Sequence, residues 1–122
     1  MRFFRFDRAA GRPIDQFDSV AAVISPIQRM SGQVQIGCMH IGPGGTVGYH
    51  QAVPMQLFLV VQGDGWVRSS DHPEPLAIHA GQAAFWENGE WHASGSDSGM
   101  TAIVIESEAL DPGQYMPEES SR

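Results

Sequence analysis

Short apolar runs, separated by glycine and proline, make up the hydrophobic pattern of this chain. No stretch carries a long apolar period of 3.6 residues, so the pattern predicts strands and no long helix. Many short strands at intervals of about ten residues, with turn residues between them, are typical of a β-sandwich or barrel. We predict strands near Phe3–Phe6, Val20–Ile24, Val34–Ile41, Met55–Val61, Trp66–Ser69, Leu76–His79, Ala83–Trp86, Trp91–Ser94 and Met100–Glu106.

Turn residues lie between these runs, for example Gly42-Pro43-Gly44-Gly45, Gly63-Asp64-Gly65 and Asn88-Gly89. Asp15–Ala22 has room for one helical turn. The length of 122 residues fits a single domain. We expect its barrel to occupy roughly residues 20–106, and the polar, proline-containing tail, residues 111–122, to lie over the surface or to be partly disordered.

The strand predicted at Met55–Val61 is apolar on both faces. One face carries Gln56, Phe58 and Val60. The other carries Met55, Leu57, Leu59 and Val61. Neither face can be left in water. If Gln56 points into the barrel, the opposite face must be covered by a second subunit or by the N-terminal strands, and from this we expect a homodimer.

Composition and charge exclude several classes of function. The net charge is −7, lysine is absent, and no basic cluster favours binding to nucleic acid or to an anionic membrane. The single cysteine, Cys38, excludes an intrachain disulfide. The longest apolar run, Leu57–Val61, is far shorter than the ~20 residues of a membrane-spanning helix, and the first residues lack the apolar region of a secretory signal. We therefore expect a cytoplasmic protein.

Two of the five histidines stand where a ligand can enter a barrel. His50 and His92 both follow glycine-containing turns close to predicted strands, and such positions lie at a barrel rim. For His40, His72 and His79 we expect structural, hydrogen-bonded roles. A glycine-rich phosphate loop that opens a helix is missing, as is a nucleophile elbow.

The spacing around His50 resembles the first motif of the cupin superfamily. That motif has a glycine, five residues, His-x-His, three or four residues, a glutamate, six residues and a second glycine. Gly44, His50 and Gly63 fall in place, whereas Ala52 stands at the second histidine and Gln56 at the glutamate.

The spacing around His92 resembles the second cupin motif, which has a glycine, five residues, Pro-x-Gly, two residues, a histidine, three residues and an asparagine. Gly81, Gly89 and His92 agree with it, whereas Glu87 replaces the proline and Ser96 the asparagine. The resemblance extends over about half of the chain, from residue 43 to residue 96.

The resemblance implies an all-β fold, a double-stranded β-helix or jelly-roll barrel, with a divalent metal ion inside. In such cupins three histidines and one glutamate bind the metal. His50 and His92 remain here, Gln56 offers a neutral amide oxygen, and Ala52 offers no ligand. Two imidazoles and one amide would leave open positions for water or substrate, on an ion such as Fe, Mn, Ni or Zn.

Glu90 is the candidate for the missing carboxylate. It precedes His92 by two residues, so on a strand the two side chains share a face. Glu90 is then a third metal ligand or an acid or base that moves a proton in the pocket. If it instead points to solvent just before the strand begins, it is a plain surface acid. Phe58 and Trp86 would form the wall of the ligand pocket, or else belong to the core.

Three functions follow from these features. The first is a metal-dependent small-molecule enzyme of the dioxygenase, isomerase or lyase type. The second is a non-catalytic ligand-binding or sensing domain whose metal site has decayed, as Ala52 and Gln56 suggest. The third is a structural homodimer without a small ligand.

Overall fold

The computed structural model describes residues 1–119, which form antiparallel strands and one short 3-10 helix, at Arg8–Ala10. The all-β prediction is therefore confirmed. The strands are β1 (Arg2–Arg5), β2 (Arg12–Pro13), β3 (Val23–Ile24), β4 (Gln35–Ile41), β5 (Gly45–Gln51), β6 (Gln56–Ser69), β7 (His72–His79), β8 (Gln82–Trp86), β9 (Trp91–Ser96) and β10 (Met100–Glu106). Within residues 1–119, none of the helical structure has the length and apolar character needed to cross a bilayer.

The longest strand, β6, joins two layers of sheet. Its first half pairs with β8 and β10, in a layer with the order β1-β8-β6-β10-β4. Its second half pairs with β7 and β9, and β9 in turn pairs with β5. The two layers enclose an apolar interior between them.

Glycine allows β6 to pass from one layer to the other without a break. Gly63 has a φ of 80°, and a side chain at this position would overlap the carbonyl oxygen of Gly99. The predicted turn at Gly63-Asp64-Gly65 is therefore wrong, because these residues form a bend within one continuous strand. The two predicted strands on either side of it are halves of β6.

Two further local predictions fail for local reasons. The helical turn expected within Asp15–Ala22 is absent, since Phe17 and Asp18 adopt positive φ angles. A 3-10 turn forms earlier instead, at Arg8–Ala10, where the side chain of Asp7 accepts a hydrogen bond from the Ala10 N–H. Strand β5 was not predicted, because its glycines and its exposed, mostly polar residues hide the strand pattern.

The two faces of β6 belong to two separate apolar clusters, as its alternating pattern predicts. Phe58 and Val60 lie in the inner cluster, between the layers, together with Trp86. Leu57 and Leu59 lie in an outer cluster.

The outer cluster is covered from within the chain. Phe4 of β1 packs on Leu57 and Leu59 together with Met116, which lies in the predicted tail. Backbone hydrogen bonds attach this segment to β1: the Arg5 N–H donates to the Pro117 carbonyl at 3.0 Å, and the Glu119 N–H donates to the Phe3 carbonyl at 2.9 Å. Residues 111–119 therefore lie against the surface of the sheet, which is one of the two arrangements expected for this tail. Residues 120–122 of the predicted tail lie outside the described part of the chain.

These contacts show which segments cover the outer face of β6. Of the two predicted covers, the N-terminal strand is the one observed, with added help from residues 111–119 and from Ile27 and Met30. A second subunit is not needed to shield Leu57 and Leu59. Val61, at 46% exposure, is the least covered residue on this face of β6.

We predict that Phe4→Ala lowers the free energy of unfolding by about 3–5 kcal/mol, because it empties a fully buried aromatic site in the outer cluster. The matched control is Phe17→Ala, at a position 89% exposed, which should change stability by no more than about 0.5 kcal/mol. Urea denaturation measures both. Equal losses in the two variants would show that β1 does not hold the outer cluster together.

Candidate functional site

The structure brings His50 and His92 together across neighbouring strands. They are directly paired in the register of β5 and β9, so both rings lie on the same face. Their ring centroids are 4.4 Å apart, with the planes tilted by 56°. Two predicted site residues that are 42 positions apart in sequence therefore form one pair.

The backbone orients both imidazoles. Nδ1 of His50 lies 2.6 Å from the carbonyl oxygen of Gly48, and Nδ1 of His92 lies 3.4 Å from that of Glu90. A ring that donates its Nδ1–H to a carbonyl leaves a lone pair on Nε2. In His92, which is 2% exposed, this Nε2 is buried and finds no hydrogen-bond partner among residues 1–119.

Burial keeps His92 neutral. Its removal from water lowers the pKa of its imidazole from the ordinary 6.5 to about 4, and the neighbouring His50 also lowers this pKa, while the Glu90 carbonyl acts in the opposite direction. At neutral pH His92 therefore presents an uncharged ring with a free lone pair, which is the form that binds metal ions.

Trp86 covers one face of the His92 ring. The indole and imidazole rings are stacked, with centroids 4.0 Å apart and planes at 17°. Phe58 contacts the indole edge-on, with ring centroids 5.7 Å apart. The Nε1–H of Trp86 is buried without a partner in the described chain, like Nε2 of His92. One donor and one acceptor thus lie unpaired in stacked rings. Buried polar groups are nearly always paired, so these two atoms are candidates for binding a polar group from outside the chain.

Gln56, the third predicted metal ligand, lies beside Trp86 on the inner face. The two residues are paired between β6 and β8, and Gln56 is 6% exposed. Its side chain makes no hydrogen bond with another residue in the range 1–119. Gln56 and His92 are thus both neighbours of Trp86, Gln56 through cross-strand pairing and His92 through ring stacking.

Glu106 is a site residue that sequence reasoning missed. It is paired with Gln56 on one side and with Gln35 on the other, so Gln35, Glu106, Gln56 and Trp86 form one row across four strands, which we call the mouth row. The sequence held a signal for it: Glu106 has the same parity as Ala102 and Val104, and both of these side chains point inward.

An open groove lies at the Gln35–Glu106 end of the mouth row. One part, of about 330 Å³, is lined by the inner face of β4 and β10, including Met39, Val104 and Glu106. A larger part, of about 830 Å³, adjoins it at Gln35 and Glu106. The groove is large enough for a small organic molecule.

The carboxylate of Glu90 contacts the N-terminal ammonium group, and among residues 1–119 it makes no hydrogen bond to an imidazole. It lies 2.7 Å from the N-terminal ammonium group of Met1 and accepts a hydrogen bond from the Glu87 N–H at 3.0 Å. It lines a different hollow, together with Met1 and Asp71. The reason is that β9 begins at Trp91, so Glu90 precedes the strand and the two-residue alternation does not apply to it.

Ala52 stands where the cupin motif has its second histidine. It lies beyond the end of β5, and its methyl group is buried in the inner apolar cluster, so the space left by the missing histidine is filled by core packing. The structural role expected for His72 and His79 fits their contacts, because their Nδ1 atoms lie 2.7 Å and 3.0 Å from the carbonyl oxygens of Glu74 and Ala80.

Within residues 1–119, no three side chains of the types His, Cys, Asp and Glu come together as a metal site. The predicted metal ligands are therefore two imidazoles and a neutral amide, without a carboxylate. Such a set binds a divalent ion only weakly.

Comparison with known families agrees with this geometry. A family model described as cupin matches residues 28–121, and the chain belongs to the cupin family. With the two-layer topology and the structures below, this confirms the jelly-roll fold. None of the curated proteins that were compared matches the sequence significantly.

Solved structures show the same fold at low sequence identity. A cupin superfamily protein from Desulfitobacterium hafniense has a TM-score of 0.57 at 15% identity, over 84% of this chain and 96% of that one. A predicted oxalate decarboxylase from Thermotoga maritima has a TM-score of 0.53 at 20% identity, over 57% of this chain and 62% of that one. A structure described as that of DMSP lyases has a TM-score of 0.57 at 22% identity, over 75% of this chain and 46% of that one.

The match thus spans less than two thirds of the Thermotoga protein and less than half of the DMSP lyase chain. At these identities the likeness shows the fold alone.

We predict that His92 makes the protein less stable in acid. Between pH 6.5 and about 4 the unfolded chain protonates this imidazole while the folded chain does not, so stability falls as the pH falls through this window. The slope from one such proton is at most about 1.4 kcal/mol per pH unit. Urea denaturation across the window should give a shallower loss for His92→Gln than for the wild type. Identical pH profiles would mean that His92 is not held neutral by burial.

Proposed function

We propose that the protein binds a small molecule at the mouth of its barrel, beside a divalent ion held by His50, His92 and Gln56. The observation that carries this proposal is the pair of unpartnered polar atoms in the Trp86–His92 stack. Leaving a buried donor or acceptor unpaired costs about 1–3 kcal/mol. A bound ion or polar ligand would remove this penalty, which internal packing does not.

The residues present fit a weakly bound ion. The Nδ1 atoms of both histidines lie against backbone carbonyls, as is usual for metal-binding imidazoles, so each Nε2 is free to bind. Gln56 adds an oxygen donor without charge. A divalent ion such as Fe, Mn, Ni or Zn would supply Lewis-acid polarisation of a ligand oxygen. Trp86 would donate its Nε1–H to a ligand acceptor, and Phe58 and Trp86 would keep water out of that side of the site.

A binding or sensing role without catalysis is the second candidate. It is supported by the position of Glu90, the acid to which the sequence assigned proton transfer, since this carboxylate is engaged by the N-terminal ammonium group. A catalytic reading would need another acid or base near the imidazoles. The DMSP lyase and predicted oxalate decarboxylase among the structural neighbours show only that the fold accommodates small-molecule chemistry.

The homodimer and the cytoplasmic location stay proposals. The outer face of β6 gives no support to a dimer, because β1 and residues 111–119 cover that face. What supports it now is the edge of the sheet: β4 pairs only with β10 in the described chain, and Ile36 on this strand is 63% exposed. Light scattering that gives a clean monomer mass at micromolar concentration would contradict the dimer.

We predict that isothermal titration with Zn²⁺ or Mn²⁺ shows one weak site per chain, and that the double variant His50→Ala/His92→Ala loses it. Gln56→Glu should tighten binding at least ~10-fold, or by about 1.4 kcal/mol, because it restores a charged oxygen ligand. His72→Ala is the matched control, since His72 bonds to a backbone carbonyl outside the site.

Equal metal binding by the wild type and the double variant would overturn the metal assignment. The binding-domain candidate would then take its place. Elemental analysis of untagged protein purified without added metal gives an independent check.

A further inference from the structure

The charged side chains that line the groove at the Gln35–Glu106 end of the mouth row are all acidic. Among residues 1–119, its lining includes the carboxylates of Glu106 and Glu108 but no arginine or histidine, and the chain contains no lysine. A ligand in this groove therefore meets negative charge without any compensating positive charge from the groove itself.

Glu106 lines both parts of the groove. Its side chain is half-buried on the inner face and makes no ion pair or hydrogen bond with another of the residues 1–119. A partly buried carboxylate without a partner is unfavourable, because it has lost part of its hydration and gained nothing in return. Because this carboxylate lines the groove, a cationic group of a ligand in the groove can reach it.

The groups on either side of Glu106 supply more acceptors. Gln35 and Gln56 are its direct cross-strand neighbours, and each carries an amide oxygen. Gln56 is more than nine-tenths buried and has no side-chain partner in the described chain. One carboxylate with an amide oxygen on each side is a set of acceptors suited to an ammonium group, which has three N–H donors.

We propose that the groove binds a small organic cation, a primary amine in its ammonium form, with the charged nitrogen at Glu106 and the apolar body against Met39 and Val104. This inference rests on the proposed binding function at the barrel mouth, and it does not require the metal ion. It makes Glu106 the residue that selects ligands by charge. A carboxylate ligand would face Glu106 as a like charge and is disfavoured, in contrast to what the name of the predicted oxalate decarboxylase would suggest for its own site.

Three probes of the same shape test the charge preference: cyclohexylamine, cyclohexanol and cyclohexanecarboxylate. Each is titrated into ¹⁵N-labelled protein treated with a chelator, and the Trp86 indole N–H and the Glu106 amide N–H are followed by NMR. We expect cyclohexylamine to bind at least ~10-fold more tightly than the carboxylate, with cyclohexanol between them. Glu106→Gln should weaken amine binding at least ~10-fold and leave cyclohexanol binding unchanged.

Glu108→Gln is the matched control. Glu108 lines the same groove but is exposed, so its substitution should change amine binding by no more than about 2-fold, since solvent screens exposed charges. Circular dichroism confirms that each variant is folded.

Carboxylate binding as tight as amine binding, or unchanged amine binding in Glu106→Gln, would overturn the charge inference. If cyclohexanol still shifts the Trp86 indole in that case, binding at the mouth survives and only the charge preference fails. If no probe shifts either signal up to its solubility limit, both the charge inference and small-molecule binding at the mouth are overturned. The metal assignment is judged separately, by the metal titration.

Discussion

The structure depends on a strand that is apolar on both faces. Because β6 cannot expose either face to water, it needs one apolar cluster between the sheets and another outside them. The outer cluster is covered by β1 and by residues 111–119, which come from opposite ends of the described chain. The inner cluster is thereby left to form the wall of the candidate site, with Phe58 and Trp86 as its large aromatic members.

The chemistry of the site follows from that inner wall. Stacking against Trp86 removes His92 from water, and the same burial lowers the pKa of His92 and deprives its Nε2 of a partner. A neutral, unpaired imidazole is a good metal ligand and a good hydrogen-bond acceptor. The proposed metal site would be weak for an equally simple reason, since Gln56 lacks the charge of a glutamate, and Ala52, packed in the core, has no group that binds metal.

The mouth row adds a second kind of recognition to the first. The His50–His92 pair and Trp86 offer a lone pair and an N–H donor, which distinguish ligands by hydrogen bonding or through a metal ion. Glu106, one strand beyond Gln56, distinguishes ligands by charge. The two parts lie on one inner surface, so a single small molecule with a polar end and a cationic end would satisfy both.

The sequence by itself determined the all-β architecture, the inward face of β6 and the closeness of His50 to His92. Each of these depends on local alternation or on motif spacing, which the chain carries in its order of residues. The sequence left the orientation of Glu90 open, because a strand's alternation starts where its hydrogen bonding starts, and one residue decides whether a side chain is in phase. Only the tertiary structure decided what covers Leu57 and Leu59, because the segments that do so are distant in sequence. It alone also placed Glu106 beside Gln56, since that neighbourhood arises from the pairing of β10 with β6, fifty residues apart in the chain.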